Sequence, residues 1–505
     1  MRLLTIIIIF TLSGNLYGQF HKCTTDHGPL IERIEANKAR IAANTVDTRA
    51  GDPLYVPMKF HRVGRTDGTS YMAITSILDN MCKLGKDFGK FTDLVPYING
   101  DFPTLNSSAA FSQPWSNGAE AAMNNASDNN SVNVFIVGNV DQAGGNGTTL
   151  GYYDPSFDFL VMRQLEVLDS TSTLSHELGH YFSLMHPFFG WEPSPYSVND
   201  HGNPLLYSVI PGTNREIEMV DRSRNCAFTA DRLCDTPASY LFGFAEDNST
   251  TISNCNLTPS VFDRFGDQLV PMEENMMDYF PGCGEYVFTE QQAEVMHADF
   301  NSPSRNIIRS SYVPNTNEIT SAPTELSPTS GDFIDTYNSI FFEWEAIEHA
   351  DQYLVEVQDV FIGTKIEYIT DSPNLWVTDL EPNKKYAWFV HPFNETSACY
   401  KSGKKIFDTG EAVTSVEEIK GISSFDIYPN PTQANGDVTI AISSDDQKAL
   451  NITVKSIDGK LLQSGNQIIN AGANRLKLQL PQQTGIYLIQ LQSENGLLTK
   501  RVFKQ

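Results

Sequence analysis

The chain has 505 residues, 40% hydrophobic and 19% charged, with 26 Pro and 34 Gly that follow no period. That length allows about three domains, and the composition excludes a disordered or collagen-like chain. Acidic residues outnumber basic ones 61 to 35, a net charge of −26, and a field of that sign repels phosphate backbones, so nucleic-acid binding is excluded as a function.

Residues 3–12 form an apolar run behind Arg2, too short for the ~20 residues of a membrane span and patterned as a signal peptide ending near Gly18. No later segment reads as a span. The expected location is therefore secreted, extracellular or on the cell surface, in an oxidising compartment where the seven cysteines become disulfide candidates with one left over. Residues 19–52 carry Cys23, a charged helix-favouring stretch and a Gly/Pro loop, and read as an N-terminal pro-segment. Residues 55–63 alternate as a strand, and Ile74, Ile77, Leu78 and Met81 mark one face of a helix. Strands are expected at 132–137 and 157–162, and a helical pattern starts near Ser170.

That last helix carries His176-Glu177-Leu178-Gly179-His180, with His186 beyond it. Two histidines four apart on a helix project from one face and can share a metal ion. His186, ten residues after His176, would lie ~15 Å away along an unbroken helix, so the helix is expected to stop after His180 and fold back. Three His nitrogens then suit one zinc ion with its fourth position open to water, which Glu177 would polarise. Leu174, Leu178, Tyr181, Phe182 and Met185 would anchor the helix in the core.

The motif resembles that of the metzincin zinc peptidases. Asn275-Met276-Met277-Asp278-Tyr279, Cys234-Asp235-Thr236-Pro237 and Phe288-Thr289-Glu290-Gln291-Gln292 extend the resemblance to the pappalysin and cytophagalysin family, over about residues 53–312. The resemblance implies that His176, His180 and His186 hold zinc, Glu177 is the general base and acid, Met277 forms the Met-turn below the metal, and Tyr279 lies near the substrate carbonyl. Ser183 departs from the family, which has Gly there, and a Ser in the left-handed region costs about 1–2 kcal/mol. His21-Lys22-Cys23-Thr24 partly resembles the family's zymogen switch, in which a pro-segment thiolate occupies the zinc, although Thr24 replaces the family's Gly. Cys226, Cys234, Cys255 and Cys283 allow three pairings. Sequence proximity and similarity to the family favour Cys226 with Cys234 and Cys255 with Cys283. Cys82 reads as a buried thiol and Cys399 as a residue of a later module. Relatives use calcium and Asp/Asn-rich loops abound, so Ca2+ is a second cofactor to consider, but no EF-hand spacing names its ligands.

After a Pro/Ser/Thr linker at 313–324 the helical periodicity ends. Residues 325–410, with Trp344, Leu380, Pro382, Tyr386 and Trp388, resemble a fibronectin type III module. Residues 411–505 carry Tyr428-Pro429-Asn430-Pro431, Asp458-Gly459-Lys460 and Gly485-Ile486-Tyr487, and resemble the C-terminal sorting domain of type IX secretion, whose machinery would then be a partner. The expected fold class is multidomain, an α/β (α+β) metzincin-like zincin catalytic domain followed by two all-β sandwich domains. The expected function is a secreted zinc-dependent endopeptidase acting on protein or peptide substrates. The alternative is a surface adhesin with an inactive protease-like domain; a zinc hydrolase acting on non-peptide bonds is a third reading that the motif alone allows.

Overall fold

The computed structural model describes residues 21–23, 28–43, 52–141, 148–168, 171–221, 223–334, 336–410, 419–433, 435–457, 460–493 and 496–505. The signal-peptide reading of residues 1–18 lies outside them, as do Asp458 and Gly459. The chain forms two compact units. Of the described residues, one comprises those up to 333 with 339–378 and 384–408, and the other comprises those from 409 onward with short segments within 334–338 and 379–383. No helix among the described residues is long and apolar enough to cross a membrane.

The first unit is built on a mixed sheet. Its elements in chain order are β1 (His21–Cys23), α1 (Gly28–Ala42), β2 (Leu54–Gly64), α2 (Ile74–Phe88), β3 (Leu94–Ile98), β4 (Thr104–Asn106), α3 (Ser108–Ser112), α4 (Asn117–Ala126) and β5 (Val132–Val137). They continue with β6 (Thr148–Asp154), β7 (Phe159–Arg163), α5 (Gln164–Leu168) and α6 (Thr173–Tyr181). The strand order is β1-β6-β7-β5-β2-β3, with β4 also pairing β2. β6 runs antiparallel to β7, whereas the remaining neighbours are parallel. Every residue of β5 is buried, as in a strand covered on both faces, including the polar Asn133, which bonds to Asp128 N and Asp128 O. Helix α2 buries Ile74, Ile77, Leu78, Met81, Leu84 and Phe88, an apolar stripe at helical spacing.

After α6 the described residues turn largely irregular, with a short helix, α7 (Val198–His201), and a short antiparallel pair, Thr251–Ile252 with Leu257–Thr258, before α8 (Glu290–Phe300). This stretch has its own aromatic core around Phe188, Trp191, Tyr196, Tyr240 and Phe280. Disulfides Cys226–Cys234 and Cys255–Cys283 staple it. Helix α1, within the segment read as a pro-segment, packs as a core element: Leu30, Ile34 and Asn37 are fully buried.

A third disulfide corrects the reading of Cys82 as a buried thiol, because Cys82 is bonded to Cys399 in the β-sandwich, 317 residues away. Helical periodicity reports only which face of α2 is buried, and a partner so distant leaves no trace in it. The sandwich has strands at Glu325–Ser327, Ile340–Trp344 and Asn374–Val377 in one sheet, and at Lys405–Thr409, Lys385–Phe393, Gln352–Asp359 and Lys365–Thr370 in the other. Phe342, Trp344 and Trp388 fill the space between them.

This sandwich is fused to the α/β body. Its Leu354, Phe393 and Ala398 belong to the same buried cluster as Ile98 and Phe102. Glu367 accepts hydrogen bonds from Ile74 N (2.6 Å) and Thr75 N (3.2 Å), so a carboxylate from the sandwich satisfies the open N-terminus of α2, while Arg62 pairs with it at 3.0 Å. The segment read as a linker is itself pinned: Ile319 is fully buried and Asn315 N donates to Glu395.

The second unit stacks a three-stranded sheet (Ile422–Tyr428, Asp437–Ser444, Gly472–Gln479) with a four-stranded one (Leu461–Ile469, Lys448–Ser456, Gly485–Ser493, Gly496–Lys504). Ile440, Ile442, Val454, Ile489, Leu491 and Val502 form its core.

Candidate active site

Helix α6 lies against β6 and β7 and buries His176, Glu177 and His180. Its last turn closes through Phe182 N to Leu178 O and Ser183 N to His180 O. Ser183 then takes φ +70°, the left-handed conformation that stops the helix and returns the chain to His186. The strain of a non-glycine residue there is offset by packing and by a hydrogen bond in which Asn37 Nδ2 of α1 donates to Ser183 Oγ at 2.8 Å.

The fold-back brings three imidazoles together. Their Nε2 atoms are 3.1 to 3.2 Å apart. His176 Nδ1 faces Met276 O and His180 Nδ1 faces Leu184 O, both at 2.8 Å. A carbonyl only accepts, so each Nδ1 carries the proton and each Nε2 presents a lone pair to the centre. Burial lowers the pKa of His176 to about 4, against the raising effect of its bond to Met276. Burial, with His176 alongside, pushes His186 well below the usual histidine range. Both rings are therefore neutral at pH 7 and suited to metal ligation. Nitrogens at the ~2.0–2.1 Å of zinc–imidazole bonds in a tetrahedral site stand ~3.3 Å from one another, so this donor set fits zinc.

Below the histidines, Met277 packs under α6: a methyl group at Gly179 would fall 2.6 Å from Met277 Sδ, which explains a glycine inside this helix. The turn carrying Met277 is held by Asn275, whose Oδ1 accepts from Met277 N and from Gln292 Nε2. Gln292 also closes a capping box with Thr289 at the start of α8. Asp235 accepts from Thr289 Oγ1 and Gln291 N, so the Cys234–Pro237 segment docks on the same helix N-terminus. The Tyr279 ring lies 4.9 Å from that of His186 and 5.8 Å from that of His176.

A cleft of about 590 Å³ opens beside His176, Glu177 and Tyr279, walled by Leu150, Leu165, Met276, Phe280 and Tyr286. Buried Asp278 also lines it, its pKa raised by burial to about 6. The backbone of β6 passes directly over Glu177, since a methyl group at Gly151 would approach Glu177 Cγ to 3.2 Å. Cys23 pairs with this same Gly151 in the ladder of β1 on β6, although its side chain lies outside the described residues. The structure thus gathers His176, His180, His186, Glu177, Met277 and Tyr279 around one centre, while the four later cysteines staple the surrounding loops. Lys83 and Glu166 of the cleft and Glu192 beside His186 were not foreseen, because no spacing links them to the motif.

Residues 426–505 match the family described as the secretion system C-terminal sorting domain, which marks the chain for export. No curated protein matches the chain. Among solved structures, a promirolysin mutant of Tannerella forsythia shares 15% identity, over 56% of this chain and 92% of that one, with a TM-score of 0.35. The chicken CNTN1 FN1-FN3 domains share 12%, over 37% of this chain and 69% of that one, with a TM-score of 0.17. The FN5 domain of Drosophila Lar shares 18%, over 20% of this chain and all of that one, with a TM-score of 0.15.

Proposed function

We propose that the protein is a secreted zinc-dependent endopeptidase of the metzincin type, exported through the type IX route. The observation that carries this reading is the convergence of three His Nε2 atoms within 3.2 Å, beside a buried glutamate at the edge of a cleft. Zinc held by His176, His180 and His186 would supply a Lewis acid that acidifies water and polarises a scissile carbonyl. Glu177 takes the proton from the attacking water and delivers it to the leaving amine. Tyr279 donates its hydroxyl proton toward the oxyanion as that charge develops. The apolar walls of the cleft, Leu150, Leu165 and Phe280, receive a substrate side chain and exclude water around the reacting bond.

With its N-terminal segment present, β1 covers the edge of β6, and Cys23 sits in register with Gly151, whose backbone passes over Glu177. That register supports Cys23 as a latency switch. The Cys23→Ala chain is expected to hydrolyse an unfolded protein without removal of its N-terminal segment, while the parent stays latent. Equal latency of the two removes the switch. The function itself is tested by zinc content and casein hydrolysis of protein lacking residues 1–27, with and without a strong chelator. One zinc per chain and chelator-sensitive hydrolysis support the reading. Bound zinc without hydrolysis would return the adhesin alternative.

A further inference from the structure

The three imidazoles are oriented unequally. His176 and His180 each direct Nδ1 at a backbone carbonyl, whereas Nδ1 of His186 faces a carboxylate, Glu192 Oε1, at 3.7 Å. His186 is 1% exposed and its ring is fixed by Phe188, stacked at 4.6 Å and 19°, and by Tyr279 on another side. Its Nε2 points at the other two histidines, so its proton belongs on Nδ1, toward Glu192.

Glu192 is aimed there by its own loop. Gly190 adopts φ +106°, and a methyl group on it would meet Ile210 Cδ1 and Arg215 Cδ at 2.9 Å, so the tight turn needs glycine. Gly190 N donates to Glu192 Oε2 at 2.7 Å, which fixes one carboxylate oxygen and turns the other inward. That inward oxygen, Oε1, is shielded from solvent and makes no hydrogen bond among the described residues. A buried carboxylate oxygen without a donor is costly. At 3.7 Å the contact is electrostatic, and a small rotation of the Glu192 side chain makes it a hydrogen bond.

We infer that Glu192 is the positioning residue of the third histidine, a carboxylate that holds the Nδ1–H of His186 and makes its Nε2 the most electron-rich donor of the three. This rests on the zinc reading of the preceding section. Outer carboxylate partners of this kind fix the tautomer and ring orientation of a ligating histidine and raise its basicity.

The test is zinc affinity by competition with a chromogenic chelator, for the full chain and its Glu192→Gln and Glu192→Ala variants, beside thermal melts of the metal-free proteins. Glu192→Ala is expected to bind zinc about 10- to 100-fold more weakly. Glu192→Gln, whose amide oxygen still accepts a hydrogen bond but carries no charge, is expected to fall between that and the parent, with unchanged metal-free melting. A Glu192→Ala chain that holds zinc as tightly as the parent overturns this inference alone. So does a loss of affinity in Glu192→Gln matched by an equal loss of metal-free stability, which would mark a structural role. A parent that takes up no zinc at all overturns the peptidase reading, and this inference with it.

Discussion

Glu177→Gln is expected to lower hydrolysis of an unfolded protein by about 10²- to 10⁴-fold while leaving zinc content and melting temperature unchanged. The glutamate is fully buried between α6 and the backbone of β6, with its side chain reaching the cleft beside His176. Gln fills the same volume there, so packing persists. What it lacks is the ability to accept a proton from water and return it to the departing amine, which the proposed mechanism asks of this one side chain. Steady-state turnover of the two proteins at equal zinc loading decides the matter. Comparable rates would defeat the mechanism even if the metal site stands.

Arg305→Met is expected to destabilise the first unit by about 3–5 kcal/mol, read as a fall of its melting transition on the order of 10 °C. Arg305 is 1% exposed. Its Nε donates to Asp299 Oδ2 at 3.1 Å, and its Nη1 to both oxygens of Asp158 at 2.6 Å. Its Nη2 donates to Tyr181 O, the last residue of α6, and the guanidinium lies 3.5 Å over the Tyr181 ring. The substitution keeps bulk but leaves a carboxylate, Asp299, buried with only Arg33 to neutralise it and one fewer donor on the carbonyl end of the histidine-bearing helix. Differential scanning calorimetry of parent and variant measures the change. A shift below 2 °C would mean that Arg33 and Asn37 satisfy Asp299 without Arg305.

The network has a pH signature of known sign. Burial pushes the Asp299 pKa up, but Arg33, Arg305 and Asn37 together outweigh it and hold the carboxyl below its ordinary 3.8. A depressed folded pKa gives stability that is fully present above the ordinary value and lost as pH falls through the folded one. Two of the three partners, Arg33 and Asn37, belong to α1, so the helix read from sequence as removable also stabilises this buried charge. Asn37 reaches Ser183 as well, which ties the departure from the family glycine to a residue 146 positions earlier.

Read alone, the sequence determined what local geometry governs. Four-residue spacing places His176 and His180 on one helical face wherever that helix lies, and the ten-residue gap to His186 demanded the reversal now seen at Ser183. The mostly apolar stretch 132–137 pointed to a strand, and the change of periodicity after residue 313 pointed to β-sheets. Pairings between distant segments were decided only by the tertiary structure. Cys82 with Cys399, Glu367 on the N-terminus of α2 and Arg305 on the end of α6 follow from which surfaces bury each other. The linker composition of 313–324 suggested a separate module, yet the sandwich shares the core of the α/β body. Residue spacing along one helix is set by its hydrogen-bonded repeat, whereas contacts across hundreds of residues are chosen by the packing of the whole unit, to which no local period corresponds.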